Sequence, residues 1–314
     1  MAEPTKRRRT RPRLAAAVAL VLSALTGACG SSLTQPTAMP AAVPTPTPAP
    51  TPPPPPKVAL LSIDGLRPDI LSTELAPNIL ALAQRGCYTW NAQTVYPSTT
   101  LPGHTSMLTG LEPIDHGIDF DGYRSNFKLK SPTVLSLVHA AGGRSVMVVG
   151  KDKFRQLSGT GSTDSFVIAT RGDADVANEV IALLPAGFDL LFAHFPDVDM
   201  CGHKNGWMSS DYSVRVHEAD EAVGRVLQAL PAETTVILTS DHGGQQNVHG
   251  TRQKLDMTIP WIIAGPRIVR RGLLTRPVRT IDTAATILHL LALEAPSNLA
   301  GGIVIEPFQP LLPH

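Results

Sequence analysis

Residues 57–69 read KVALLSIDGLRPD. From Val58 to Ile63 only Ser62 is polar, and the run ends at Asp64. A short apolar run of this kind, with no helical period, predicts a strand buried on both faces. The same pattern returns at Ser145–Val149, Leu190–His194, Val236–Thr239 and Ile259–Ile263. Helical stretches separate these runs: Ala76–Gln84, Thr133–Ala141, Ala174–Leu184, Val214–Leu230 and, last, Ile281–Leu293. Buried strands alternating with helices predict a mostly parallel sheet covered on both faces. In such sheets ligands gather beyond the carboxyl ends of the strands. Asp64 follows its strand directly, and Asp241-His242 follow theirs. Asp199 and His203 come a few residues after the strand that ends near His194.

The rest of the 314-residue chain divides by composition. The first thirteen residues carry six basic side chains and one acid, followed by an apolar run, Leu14–Leu25, and then Thr26-Gly27-Ala28. Basic, apolar and cleavable is the plan of a secretory signal over residues 1–28, and the apolar part is too short for a permanent span. Cys29 follows in a setting similar to a bacterial lipobox, with Thr26 where an aliphatic residue is usual. A lipid anchor at Cys29 and ordinary cleavage after Ala28 are both open. Residues 36–56 hold eleven prolines among Thr and Ala, so 29–56 reads as an extended, semi-rigid spacer. Residues 57–314 are long enough for one large α/β core. Without 1–28 the 27 basic and 26 acidic residues become 21 and 25, a net charge of about −4. That balance argues against a nucleic-acid partner. Cys87 and Cys201 remain as a pair that an oxidising compartment could join.

Five segments carry chemistry: LSIDGLRPD, YPSTTLPGH, FPDVDMCGH, LTSDHGG and NVHG. Among their residues Asp64, Asp199, Asp241, His203, His242 and His249 make a donor set that suits zinc, or manganese or iron. Asp199 and His203 are four apart and converge if their segment is helical. Adjacent Asp241 and His242 can face different ions from one loop. His194, His217 and His289 have no acidic or glycine partner at such spacing. His104 and His116 read as supporting residues. Thr100-Leu101-Pro102 opens a helical run, with Pro in the first turn, which places Thr100 near a helix N-terminus that favours anions. By residue type alone, Ser98, Thr99 and Thr100 are equivalent nucleophile candidates.

Taken together, these segments resemble the alkaline phosphatase superfamily, in particular its type I phosphodiesterase/nucleotide pyrophosphatase branch, over most of Lys57–Leu293. The resemblance implies a three-layer α/β/α sandwich with a mostly parallel central sheet. It implies Thr100 as nucleophile and two divalent metal ions. One ion would be held by Asp64, Asp241, His242 and Thr100, the other by Asp199, His203 and His249. A two-step displacement through a phosphothreonine follows. Sulfatases of the superfamily need Cys or Ser in a C/S-x-P-x-R motif, which Thr-Leu-Pro-Gly-His does not provide.

Two features depart from the branch. Relatives place an Asn where this chain has Asp121, and an ionised carboxylate cannot donate to a phosphoryl oxygen. Asp121→Asn is therefore expected to raise kcat/KM. Lys151 and Lys153 resemble the lysine pair that grips substrate in phosphate monoesterases and phosphonoacetate hydrolases of the superfamily, and on an extended segment they point the same way. The reading is an exported two-metal phosphoric-ester hydrolase. Its substrate would be a small phosphate- or phosphonate-bearing molecule, and only Cys29 would contact a membrane. Phosphonate hydrolysis, phosphotransfer, or a weakened envelope binding protein are the alternatives.

Overall fold

The computed structural model describes residues 55–159 and 162–309. The expectations for the signal, for Cys29 and for nearly all of the spacer lie outside the described residues. Eight strands form one sheet: β1 Lys57–Ile63, β2 Cys87–Gln93, β3 Ser145–Val149, β4 Ser165–Ile168, β5 Leu190–Phe195, β6 Thr234–Thr239, β7 Thr258–Ala264 and β8 Gly272–Leu273. Around it lie α1 Pro77–Arg85, α2 Thr100–Thr109, α3 Pro113–His116, α4 Val134–Ala140, α5 Asp173–Leu183, α6 Asp197–Asn205, α7 Ser210–Ala229, α8 Lys254–Met257 and α9 Asp282–Leu290.

The strand order is β4-β3-β5-β1-β6-β7-β2-β8. β4, β3, β5, β1 and β6 run parallel, while β7 is antiparallel to both β6 and β2. β1 shows why the centre is buried on both faces. Val58 and Leu60 belong to the core formed with α2, α4 and α9, whereas Ala59, Leu61 and Ile63 belong to the core formed with α1, α5 and α7. Alternation with period two sends neighbouring side chains into opposite layers, so a strand with apolar residues at both parities must sit between two helix layers. Truncating one of these side chains, as in Leu60→Ala, is expected to cost about 2–5 kcal/mol. This is the expected three-layer α/β/α sandwich.

Cys87 and Cys201, which an oxidising compartment could have joined, are not paired. Both thiols are free: Cys87 is buried at the start of β2, where its thiol donates to the Arg270 carbonyl, and Cys201 lies on α6.

Candidate metal centre

β1 lies between β5 and β6, so the carboxyl ends of the three central strands meet at one point. Ile63 stands beside Phe195, and Ser62 beside Thr239. The Asp64 amide donates to the Phe195 carbonyl at 3.0 Å. Gly65 then turns with φ +71°, a left-handed conformation that glycine takes without strain. Its amide donates to Asp241 Oδ1 at 3.2 Å, which ties the end of β1 to the loop after β6. α6 begins two residues after β5, and its helical turn places Asp199 and His203 on one face. Beyond β6 the chain passes His242, and Gly243 and Gly244 donate to the carbonyls of Asp256 and Leu255. Buried Asp256 holds the far side of this loop, accepting from the Thr251 amide at 2.9 Å and its hydroxyl at 2.6 Å. His249 is thereby returned to the centre.

The six expected ligands gather as two groups, Asp64-Asp241-His242 and Asp199-His203-His249. Within each group one donor atom per residue lies within 4.8 Å of the others. The first group is fully buried, while His203 in the second is open to solvent. His203 Nε2 and His249 Nε2 stand 3.0 Å apart, and each is 3.5 Å from Asp199 Oδ1. His242 Nε2 is 3.3 Å from both Asp64 Oδ1 and Asp241 Oδ2. All three imidazoles direct Nδ1 at a backbone carbonyl: His203 at Asn247 (3.0 Å), His242 at Gly243 (2.7 Å) and His249 at Ser98 (2.9 Å). In a neutral ring that contact places the proton on Nδ1 and leaves the Nε2 lone pair facing inward, so a cation binding at His242 must displace a proton.

The donor atoms fit divalent cations. Asp64 Oδ1, Asp199 Oδ1, Asp241 Oδ2 and His242 Nε2 are buried without a hydrogen-bond partner. Such atoms are costly unless something charged meets them. The electrostatics agree. Burial opposes charge on His242, but Asp241 and Asp64 overrule it and push the imidazole up to about 10. Burial, reinforced by Asp64, raises Asp241 to about 7. Burial pulls His249 down to about 4, leaving it in the neutral form that can coordinate.

Thr100 is the first residue of α2, with Thr99 at the cap, and its Oγ1 lies 3.5 Å from Asp64 Oδ2. Ser98, by contrast, donates its hydroxyl to the Thr251 carbonyl at 2.7 Å. The helix terminus offers few amides. Leu101 N–H donates to Asp121 Oδ1 at 2.8 Å, and Pro102 has none.

Asp121, Lys151 and Lys153 are all near the centre, but not as a free lysine pair. The chain is extended only to Lys151 and then enters a tight 3₁₀ turn, Asp152–Gln156, so the two lysines diverge. Lys151 Nζ reaches inward to Asp64 Oδ2 at 2.6 Å and Asp199 Oδ2 at 2.5 Å. Those carboxylates hold it charged despite burial. The ammonium in turn, with His194 and His242, brings Asp64 well below the usual carboxylate range although burial acts the other way. Lys153 donates to Asp121 Oδ2 at 2.8 Å.

Three contributors escaped sequence reasoning. His194 Nε2 contacts Asp64 Oδ2 at 2.8 Å, while its Nδ1 accepts from the Gly150 amide. The signal was a histidine inside an otherwise apolar buried strand, where a polar side chain needs a partner. Trp207 packs its indole edge-on to His203 and near His249, and donates Nε1–H to the Gly65 carbonyl at 2.9 Å. Asp256 is the third. His104 supports the site as expected: Nδ1 is 2.8 Å from the Thr100 carbonyl, and Nε2 meets the Ser62 hydroxyl at 2.8 Å.

An α/β/α sandwich that collects two carboxylate–imidazole groups at the carboxyl edge of its sheet defines a metalloenzyme scaffold. Comparison with known proteins agrees. The metalloenzyme superfamily model matches residues 136–295, just over half the chain, and the type I phosphodiesterase/nucleotide pyrophosphatase model matches residues 58–128. The chain belongs to the alkaline phosphatase superfamily of metalloenzymes. It is 24% identical to the catalytic subunit of mouse GPI ethanolamine phosphate transferase 3 over 70% of its length, spanning 21% of that protein. It is 29% identical to rat ectonucleotide pyrophosphatase/phosphodiesterase family member 1 over 60% of its length, spanning 24% of that protein. Among solved structures, murine ectonucleotide pyrophosphatase/phosphodiesterase 5, an inactive variant in complex with AMP, superposes with a TM-score of 0.67 at 16% identity, covering 78% of this chain and 97% of that one. A 2-O GAG sulfatase also superposes at 0.67 and 16% identity, covering 83% of this chain and 76% of that one. At that identity the shared property is the fold.

Proposed function

We propose that the protein is an exported phosphoric-ester hydrolase that carries the phosphoryl group transiently on Thr100. The observation that supports this most is the set of partnerless donor atoms, Asp64 Oδ1, Asp241 Oδ2, His242 Nε2 and Asp199 Oδ1, in the same pocket as the Thr100 hydroxyl. Two divalent cations, zinc by the donor set, would be held by the two groups of ligands and would supply Lewis-acid charge for hydroxyl, water and phosphoryl oxygens.

The chain's own part follows from position. α2 holds the Thr100 hydroxyl against Asp64, ready for in-line attack on phosphorus. A bond forms between Thr100 Oγ1 and phosphorus as the bond to the departing alcohol breaks. Water then cleaves the phosphothreonine from the opposite side and regenerates the hydroxyl. With the Leu101 amide taken by Asp121, helix amides contribute little to the phosphoryl oxygens, which must meet cations instead.

Lys151 is committed to Asp64 and Asp199, and Lys153 to Asp121. Lys153, tied to Asp121, is not free to grip a terminal dianion, and Lys151 lies against the carboxylates that would hold the cations, so the two do not form a clamp. This supports phosphodiesters over monoesters and phosphonates, and bis-p-nitrophenyl phosphate is expected to be cut faster than p-nitrophenyl phosphate. The test of the whole reading is turnover of that diester by wild type, by wild type with chelator, and by Thr100→Ala. Chelation and the substitution should each remove turnover, by roughly 10³-fold or more for the substitution, while Thr100→Ala retains its metal. Substantial activity in Thr100→Ala would remove the phosphothreonine. The similarity to phosphate transferases over 70% of the chain supports a second reading, in which an alcohol replaces water. ³¹P NMR with added glycerol separates the two by detecting a glycerol phosphoester.

A further inference from the structure

A cleft of about 800 Å³ lies between the chain segments that follow Asp121 and Lys153. The two segments leave the Asp121–Lys153 pair together. They are tied by Arg124 N–H donating to Gln156 Oε1 at 2.7 Å and by Gln156 Nε2 donating to the Phe127 carbonyl at 2.8 Å. Asp121 also accepts from Leu101, the neighbour of Thr100. Only Gly122 separates Asp121 from Tyr123 in the cleft wall, a chain distance of at most about 7 Å. The cleft wall therefore starts within two residues of Asp121, which itself touches the first turn of α2.

Its lining is one-signed. Lys128, Lys130 and Arg155 face it, with Tyr123, Ser125 and Ser131, and no Asp or Glu is among the described lining residues. This contrasts with the net negative charge of the domain. Lys128 and Lys130 are exposed and both line the cleft, while intervening Leu129 is half-buried against the core. Arg155 shares an exposed ion pair with Asp152, which water screens. Lys128 and Lys130, with Arg155 shared with Asp152 and several hydroxyls, form a surface complementary to an anion on a hydroxylated scaffold.

We propose that this cleft is a subsite for the part of the substrate remote from the attacked phosphorus, and that this part carries a second anionic group, sulfate, phosphate or carboxylate, on a polyol or similar polar body. The assignment of substrate class rests on the hydrolase reading above, but the binding site does not.

Two measurements on the full chain keep the claims separable. The first compares p-nitrophenyl propyl phosphate with p-nitrophenyl carboxypropyl phosphate, which share a leaving group and differ in the distal charge. Wild type should show a KM about fivefold lower for the carboxylate ester. Lys128→Gln combined with Lys130→Gln should erase that preference and leave the propyl ester unchanged. Both side chains are exposed, so the core is untouched. The second titrates sucrose octasulfate by calorimetry: wild type should bind it, the double variant at least about tenfold more weakly, and unsulfated sucrose should not bind. Equal KM values in wild type, a preference that survives in the double variant, or sulfate binding that is absent or indifferent to the substitutions would each overturn the proposal. Failure to cut either ester, with sulfate binding lost in the double variant, would count against the hydrolase reading and leave the cleft supported.

Discussion

At Asp121 one carboxylate meets both the first turn of α2 and Lys153. Oδ1 takes the Leu101 amide and Oδ2 the ammonium. The charge that would repel a phosphate ester is therefore partly offset in place. Asp121→Asn keeps an acceptor for Leu101 and releases Lys153 toward substrate, so kcat/KM on a diester should rise, by only about two- to fivefold because the offset already exists. Steady-state kinetics that show a fall would mean the intact pair is what the reaction uses. His194 is a residue of the same kind. It orients Asp64 from behind, so His194→Ala should lower cation affinity by about 10–100-fold. Metal titration of the chelated protein measures that directly, and unchanged affinity would reduce His194 to packing.

Among the elements, α6 carries two of the proposed ligands and depends on close packing against Trp207. A Cβ added at Gly202 would stand 2.6 Å from the indole, and one at Gly244 would stand 2.2 Å from it. The ring is wedged between the ligand helix and the loop that follows His242. Gly202→Ala should push α6 outward, costing about 1–3 kcal/mol in a denaturant midpoint and weakening the Asp199-His203-His249 group more than the other. A variant with wild-type stability and metal affinity would show that α6 is not held this way. The elements also show what could be read from the chain alone. β1, β3, β5 and β6 were legible because strands buried on both faces are apolar without interruption. The direction of β7 was not, since an apolar run reads the same parallel or antiparallel. β2, CYTWNAQ, escaped because it mixes polar with apolar residues, and the 3₁₀ turn after Lys151, which separates the two lysines, has no periodic signature.

Across the whole molecule, burial of histidine sets a pH dependence. Burial pulls His104, His116 and His194 from 6.5 down to about 4. Between those values the unfolded chain binds protons that the folded chain refuses. Asp241, raised to about 7, and Asp173 act in the opposite sense over the same window, so stability should fall as pH drops from 6.5 toward 4 by less than the histidines' sum, each histidine contributing at most about 1.4 kcal/mol per pH unit. Urea unfolding with chelator present checks this, and a midpoint flat over that window would mean these imidazoles are protonated in the fold. At this scale five of the six donors were legible because they lie just beyond the ends of the central strands β1, β5 and β6, and His249 through the NVHG segment of the loop after β6. Their supports were not, because Trp207, Asp256 and His194 act through tertiary contacts that no local spacing records. The central claim is that two cations sit in the two groups of ligands beside Thr100. Crystals grown with zinc, with diffraction collected on both sides of its absorption edge, test it most directly. Two anomalous peaks are predicted, one among Asp64, Asp241 and His242 and one among Asp199, His203 and His249. Ordered ligands with no peak in either group, or zinc only elsewhere on the surface, would contradict it.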